Sequence, residues 1–564
     1  MGISTFKGGV HPYDGKDLAK DQPIRRIKPK EILVYPLSQH IGASASPIVA
    51  VGDTVLRGQK IAEAGGFVSA PVFASVSGTV KAIEPRHVAT GDLVNSIIIE
   101  NDGEMKETDF HGVEDVASLS KEQIIEKVKE AGVVGMGGAG FPTHVKLSPK
   151  EPDKIEFIIA NCAECEPLLK LHRQLLEKHA YEIMKTFHMI QETVGAAEAI
   201  IGIKKSYVQT IQALNQHIEE FPGMRLHLLD EVYPMGDEVV LIYEATGRVV
   251  RPGGLPIEQG VAVFNVETVY NVYRAVEEKQ PVTDKYVSVV AEVSDPVTVR
   301  VPLGCTLEEV VAQAGSTTVK DPVYFVGGPM MGRIGNGSDP VTKTTNAILI
   351  LPKDHLIVAK KQRTSSIDLK RAASICCQCN TCTDLCPRHN LGHPIDPAKF
   401  MRAASNNDFR DLNPYLDASF CSSCGVCEMY SCPQSLAPRS LLADMKGGLR
   451  KAGIRPPQGV QPKPVQESRE YRKVPEERLM ARLGLTRYDK DAPLKEDLVQ
   501  VGKVKVLLSQ HIGAPAQAIV KTGDQVTRGQ MIAQPAQGLS VGIHASVSGK
   551  VTEVTDRYII IAVK

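Results

Sequence analysis

Twelve cysteines occur in 564 residues, and eight of them fall into two tight runs. The first run is C-x2-C-x2-C-x3-C-P, at Cys376, Cys379, Cys382, Cys386 and Pro387; the second is Cys421, Cys424, Cys427 and Cys432, again followed by proline. Such spacings are too short for ordinary disulfide loops and suit thiolates wrapped around a metal centre, which also points to a reducing compartment. Three thiolates on one tight loop can hold three irons of a cubane, while the fourth leaves along the chain and, where two runs are present, serves the other cluster. The pattern predicts two [4Fe-4S] clusters, one on Cys376, Cys379, Cys382 and Cys432, the other on Cys421, Cys424, Cys427 and Cys386. Four residues, EMYS, precede Cys432 where three are usual, an insertion that a bulge can absorb. A zinc ribbon made from C-x2-C pairs is the alternative, and the two Cys-Pro endings weigh against it. Cys377 stands beside a ligand and reads as a spectator.

A second chemical signal is GMGGAGFPTHVK, Gly135 to Lys146. Glycines 135, 137, 138 and 140 let the backbone pass close to something flat or anionic, and exposed amides there can bind phosphate. The loop is neither the dinucleotide fingerprint nor a Walker A loop, and a flexible turn is the competing reading. NCAECEP (Asn161 to Pro167) follows the apolar run KIEFIIA, at the carboxyl end of a strand where ligands collect in open α/β sheets. Asn161, Glu164 and Glu166 there could hold ribose hydroxyls or an amide, and a solvated acidic turn is the alternative. Cys162 and Cys165 have no second pair nearby and read as ordinary thiols. YPMGDEVVLIYEATGR, leading on to FNVETVYNV, adds Asp237, Glu238 and Asn265 as candidates.

The elements that must position these residues follow from periodicity. SLSKEQIIEKVKEA reads as an N-capped amphipathic helix. Strands then alternate with helices through about residue 280, which predicts a largely parallel α/β sheet. From Tyr286 to about Gly332 strands surround one helix, as in a small β-grasp domain. At the two ends SQHIGASASPIVAVGDTVLRGQKIA (Ser38 to Ala62) returns as SQHIGAPAQAIVKTGDQVTRGQMIA (Ser509 to Ala533), each continuing into an ASVSG segment. Short strands with Gly-Asp and Ser-Gly turns predict small barrel-sandwich modules. They resemble lipoyl and biotinyl carriers, but the equivalent stretches EAGGFVSAP and QPAQGLSVG contain no lysine, so packing or docking is expected of them and not a swinging cofactor.

The expected fold is thus multidomain, α/β plus β: a barrel-sandwich domain at 1–105, an α/β domain at 115–280, a β-grasp domain at 285–335, a two-cluster ferredoxin-like helical segment at 365–452, a Pro- and charge-rich linker at 453–500 and a second barrel-sandwich domain at 501–564. Lys plus Arg and Asp plus Glu are 65 each, so no global basic field is available for a nucleic-acid backbone. The longest apolar runs fall well short of the roughly 18 residues that span a bilayer, and MGISTFKGGV has no signal-peptide core. A cytoplasmic protein without its own transmembrane segment is expected.

GxGGAGFPTxxK, NxAExEP, the GDE turn and NVET, in this order, resemble the flavin- and NADH-binding subunit of respiratory complex I, and the β-grasp segment is similar to the SLBB-type domain found there. With TFKGGVHP, the SQHIGA barrel, CTDLCPRHNLGHPI and RLGLTRYD, nearly the whole chain resembles the RnfC/PduS family. The resemblance implies FMN on the Gly135 to Gly140 loop, Lys146, Asn161 and Asn265 at the flavin, Asp237 and Glu238 in the GDE turn, and Glu164 and Glu166 as catalytic acidic residues on the NAD(H) side. It implies partners as well: the membrane subunits of an Rnf complex, a methylenetetrahydrofolate reductase, or a corrinoid protein within a microcompartment. Ala163 and Cys165 stand where the complex I subunit has aspartate and glycine.

Overall fold

The computed structural model describes residues 29–563 apart from positions 41, 67, 90, 109–115, 139, 150, 152–153, 498–502, 511 and 538. TFKGGVHP lies outside the described residues.

The parallel sheet that carries the glycine loop has four strands, in the order Met224–Leu229, Glu198–Lys204, Phe157–Cys162, Val261–Asn265. Side chains alternate across a strand. Ile158 and Ala160 enter one apolar core, with Val266 and Val269 of the helix Val266–Val276, while Ile159 joins Val240, Leu241 and Val263 in another. Both faces are covered, which explains why FIIANC reads as a continuous apolar run. In chain order the strands lie 3-2-1-4, so the sheet reverses direction between Phe157–Cys162 and Val261–Asn265. A crevice opens at the carboxyl ends of strands flanking such a switch point.

A second sheet has six strands: Arg333–Gly335, Pro322–Val326, Ala347–Pro352, Asp284–Ala291, Val297–Pro302 and Leu494–Lys495, with the helix Leu307–Val311 against it. It extends beyond the expected 285–335 by recruiting Ala347–Pro352 and Leu494–Lys495.

The two end repeats have the same internal plan. In the first, Ile32–His40, Leu93–Asn101, Gly78–His87 and Thr54–Leu56 are successive antiparallel neighbours. Lys503–Gln510, Tyr558–Ala562, Ser548–Val554 and Gln525–Val526 repeat this order. Expected as two modules, the repeats lie in one eight-stranded sheet, Leu37 opposite Leu508 and Ser38 opposite Ser509.

Short helices carry the cysteine runs and pack on their own core of Ile395, Phe400, Met401, Tyr415, Ala418 and Leu442. Of residues 453–500, expected as a linker, the described part up to 497 does not stand off the body. Val474–Pro475 pairs with Val232–Tyr233, the helix Glu476–Arg482 follows, and Leu479, Leu483 and Leu485 are fully buried. Proline and charge mark this stretch as irregular, but its leucines have apolar surface to bury and hold it down. Among the described residues no helix is long and apolar enough to cross a membrane.

Candidate cofactor sites

Asn161, next to last in Phe157–Cys162, and Asn265, last in Val261–Asn265, are register partners on the two strands that flank the switch point. Asn161 donates through Nδ2 to the Gly236 carbonyl at 3.0 Å and accepts the Ala163 amide at 3.2 Å. Asn265 N-caps the helix Val266–Val276, accepting the Glu267 and Thr268 amides at 3.0 and 3.4 Å, and its Nδ2 lies 3.0 Å from His172 Nε2. The glycine loop closes over this end of the sheet, tied down by the Met136 amide donating to Thr268 Oγ1 at 3.0 Å and the Gly135 amide to the Phe141 carbonyl at 2.8 Å. A β-carbon on Gly137 would fall 2.4 Å from Asn265 Nδ2, so this close approach requires glycine, whereas Gly138 faces open space. Lys146 donates to the Val263 carbonyl at 2.7 Å, and its Nζ lies 3.8 Å from Glu238. Gly135, Gly137, Lys146, Asn161, Glu238 and Asn265 therefore share one end of the sheet. His40 and Thr344 approach the loop at Gly140, so an end repeat covers one side of it.

The remaining candidates are engaged with other partners. Both Glu164 oxygens accept the His172 amide, at 3.2 and 3.1 Å, beside the helix Leu171–Lys178. Glu166 accepts the amides of Met330 and Met331 at 2.9 and 3.0 Å, and burial pushes its carboxyl up to about 7 against their pull. Asp237 caps the helix Glu238–Thr246 and forms a forked pair with Arg388, whose Nη2 lies 2.8 and 3.0 Å from its two oxygens.

The cysteines separate into two sets across the runs. Cys376, Cys379, Cys382 and Cys432 line one cavity, with Gln378, Asn380 and Arg402. Cys386, Cys421, Cys424 and Cys427 line another, with Arg388 and Arg439. The two loops share a backbone device, left-handed residues two and four places after the first cysteine: Gln378 and Asn380 (φ 52° and 66°) in one, Ser423 and Gly425 (φ 60° and 85°) in the other. This curls each loop so that its thiols point inward. The extra residue before Cys432 is taken up by a π-helical turn over Val426–Ser431, which leaves Cys432 beside the first run.

The donor set fits iron–sulfur clusters. Burial, then the charges of Cys432, Cys379 and Cys376, push the Cys382 thiol up to about 12, so thiolates gather here only around a positive centre. Among the described residues no three His, Cys, Asp or Glu side chains converge as a site for a single metal ion.

Sequence reading missed the groups that join the two regions: Arg388, Tyr233, which donates to the Cys424 carbonyl at 2.6 Å, and the Met330–Met331 turn. The one available signal was arginine directly after Cys386-Pro387; the other contacts span long stretches of chain.

Three families match the chain. The Nuo51 FMN-binding domain matches residues 128–274, the RnfC barrel sandwich hybrid domain 4–104 and 488–564, and a 4Fe-4S dicluster domain 375–437. Cobalamin reductase PduS of Salmonella typhimurium strain LT2 is 43% identical over 78% of this chain and 97% of its own, and that of Citrobacter freundii is 42% identical over 77% and 95%. A subunit of the Na(+)-translocating ferredoxin:NAD(+) oxidoreductase complex of Acetobacterium woodii is 34% identical over 71% and 87%. Among solved structures, an NAD+-reducing [NiFe]-hydrogenase chain in the H2-reduced state aligns with 21% identity and a TM-score of 0.42, over 61% of this chain and 64% of that one.

Proposed function

Because this chain belongs to the RnfC/PduS family, we propose that it is an NADH-oxidising or NAD-reducing iron–sulfur flavoprotein subunit that connects a two-electron nicotinamide reaction to a partner redox protein through two clusters. The chain is an oxidoreductase built on an FMN-binding domain and a 4Fe-4S dicluster domain. The observation that carries the reading is the pairing of Asn161 with Asn265 at the switch point, under a glycine loop whose Gly137 leaves no room for a side chain.

FMN bound there would turn the hydride of NADH into single electrons of the kind a cubane accepts. The chain's own part is placement. Exposed amides at Gly137 and Gly138 and the Lys146 ammonium offer hydrogen bonds and positive charge to a flat anionic ligand. Asn161 and Asn265 are each held by a backbone partner, so their amides are oriented before a ligand arrives. In this proposal Glu164 and Glu166 shape the nicotinamide side indirectly, by holding the starts of the Leu171–Lys178 helix and the Met330 turn. The eight cysteines hold the clusters, in two sets that cross the runs.

The chain is proposed to work in the cytoplasm beside other redox subunits. Protein purified without oxygen is expected to show flavin absorbance, about eight irons per chain and NADH-driven reduction of an artificial acceptor. Flavin and iron without turnover would leave a wiring subunit in place of the nicotinamide enzyme. Identity to cobalamin reductases over nearly their whole length favours a second reading, a corrinoid as final acceptor. Anaerobic mixing of NADH, this protein and cob(II)alamin tests it by the spectrum of the reduced corrinoid.

A further inference from the structure

Electrons leaving a flavin at the switch point need one of the two thiol cavities to be the nearer. Besides His393 Nε2 at 2.9 Å from the Val250 carbonyl, the polar contacts described between the α/β domain and the cysteine module lead to the same one. Asn161, at the switch point, donates to the Gly236 carbonyl. The next residue, Asp237, takes Arg388 in a forked pair at 2.8, 3.0 and 3.2 Å. Arg388 is two residues from Cys386 and lines the cavity of Cys386, Cys421, Cys424 and Cys427. Tyr233, on the same stretch as Asp237, donates to the carbonyl of Cys424, a second member of that set. Met330, whose amide holds Glu166, belongs to the apolar core that also contains Val426 and Met429 of the second run. The other cavity has the opposite setting: Cys379 and its neighbour Cys377 are exposed.

We infer that the cluster held by Cys386, Cys421, Cys424 and Cys427 is the first to take electrons from the flavin, and that the half-buried Asp237–Arg388 pair is a positioning device that both anchors this cluster and sets its reduction potential. The cluster on Cys376, Cys379, Cys382 and Cys432, nearer the surface, passes electrons to the partner. Each transfer moves one electron, oxidising the donor and reducing the next centre; between clusters no bond is made or broken, and the protons of a reduced flavin would leave to solvent. The physical basis for tuning is charge. A guanidinium beside a cluster stabilises its reduced, more negative form, and the Asp237 carboxylate behind the guanidinium offsets part of that effect. Both side chains are mostly shielded, with 17% and 9% of their area exposed, so water screens them little.

This rests on the reading that both cavities hold clusters, and the test separates the two claims. In intact protein, anaerobic redox titrations followed by electron paramagnetic resonance give a midpoint for each cluster. Arg388→Gln should move one midpoint to a more negative value and Asp237→Asn should move the same midpoint to a more positive value, with the other cluster unmoved in both. Asparagine still caps the helix, and Arg388→Lys, which keeps the charge, should restore the midpoint most of the way. Illumination with EDTA, which reduces a bound flavin without nicotinamide, should reduce the Arg388-sensitive cluster before the other. Shifts of the same sign in R388Q and D237N mean a clamp that only holds structure and overturn the tuning role. No shift in either overturns the tuning role, and illumination reducing the insensitive cluster first overturns the assignment of the other cluster as the nearer one. Protein without iron overturns the cluster reading itself.

Discussion

A single missing side chain decides how closely the glycine loop can approach the sheet. Gly137 lies against the Asn265 amide, so Gly137→Ala must displace either the loop or the asparagine that caps the next helix. The expected result is flavin retention weakened about tenfold or more, the equivalent of ~1.4 kcal/mol, with iron content unchanged; the flavin-to-iron ratio after gel filtration measures it. Glu166 supplies a pH-dependent prediction. Its carboxyl is raised to about 7, so folding favours the protonated form, and that stabilisation is present below the ordinary glutamate range near pH 4.3 and is lost as pH rises through 7. Glu166→Gln, a fixed stand-in for the neutral form, should therefore gain melting temperature over the parent on going from pH 5.5 to 8.5. A gap that stays constant would show that the two amides alone satisfy the charge. The glycines and the two asparagines at the strand ends could be picked out by residue type, whereas Lys146 entered only through the family resemblance. That Asp237 would face Arg388 could not be read, because 151 positions separate them and neither has a local partner that signals the other.

At the level of elements, the two cysteine loops exchange their last thiols. Cys386→Ser should consequently impair the same cluster as Cys424→Ser, although it lies in the other run, and Cys432→Ser the same cluster as Cys379→Ser. Resonance spectra of the four variants should fall into these two pairs, and a pairing by run would refute the exchange. The short motif made this exchange readable in advance, because a cysteine leaving along the chain toward Pro387 has to go somewhere. The π-helical turn was readable only as one residue too many, since its shape depends on Val426 and Met429 finding apolar surface on the second sheet. The parallel sheet was predictable from alternating periods. The wider second sheet was not, because two-residue Leu494–Lys495 has no periodicity of its own and pairs with a strand almost two hundred positions away.

Across the whole molecule, one continuous core runs from the end repeats through one face of the parallel sheet into the second sheet, whereas the cysteine module rests on a small core of its own. If the eight cysteines hold the two proposed clusters, metal binding supplies much of that module's stability. Chelating the iron should open residues 365–452 to limited proteolysis while flavin stays bound and the rest of the chain resists; cleavage spread along the chain would instead mean one cooperative unit. Leu479→Ala, in the segment that crosses the body, should cost about 2–5 kcal/mol locally and expose 453–500 to protease. Sequence composition pointed to a tether here because proline and charge outweigh the few leucines that anchor it. This segment is made after both cysteine runs, and its fastenings include a strand pair with Val232–Tyr233, an ion pair between Lys204 and Glu476, and Arg469 on Glu244. Biosynthesis thus has an order written into it. The thiols leave the ribosome before the strap that runs from them back onto the α/β domain has been made, so the cysteine module can fold around its iron before that strap is fastened.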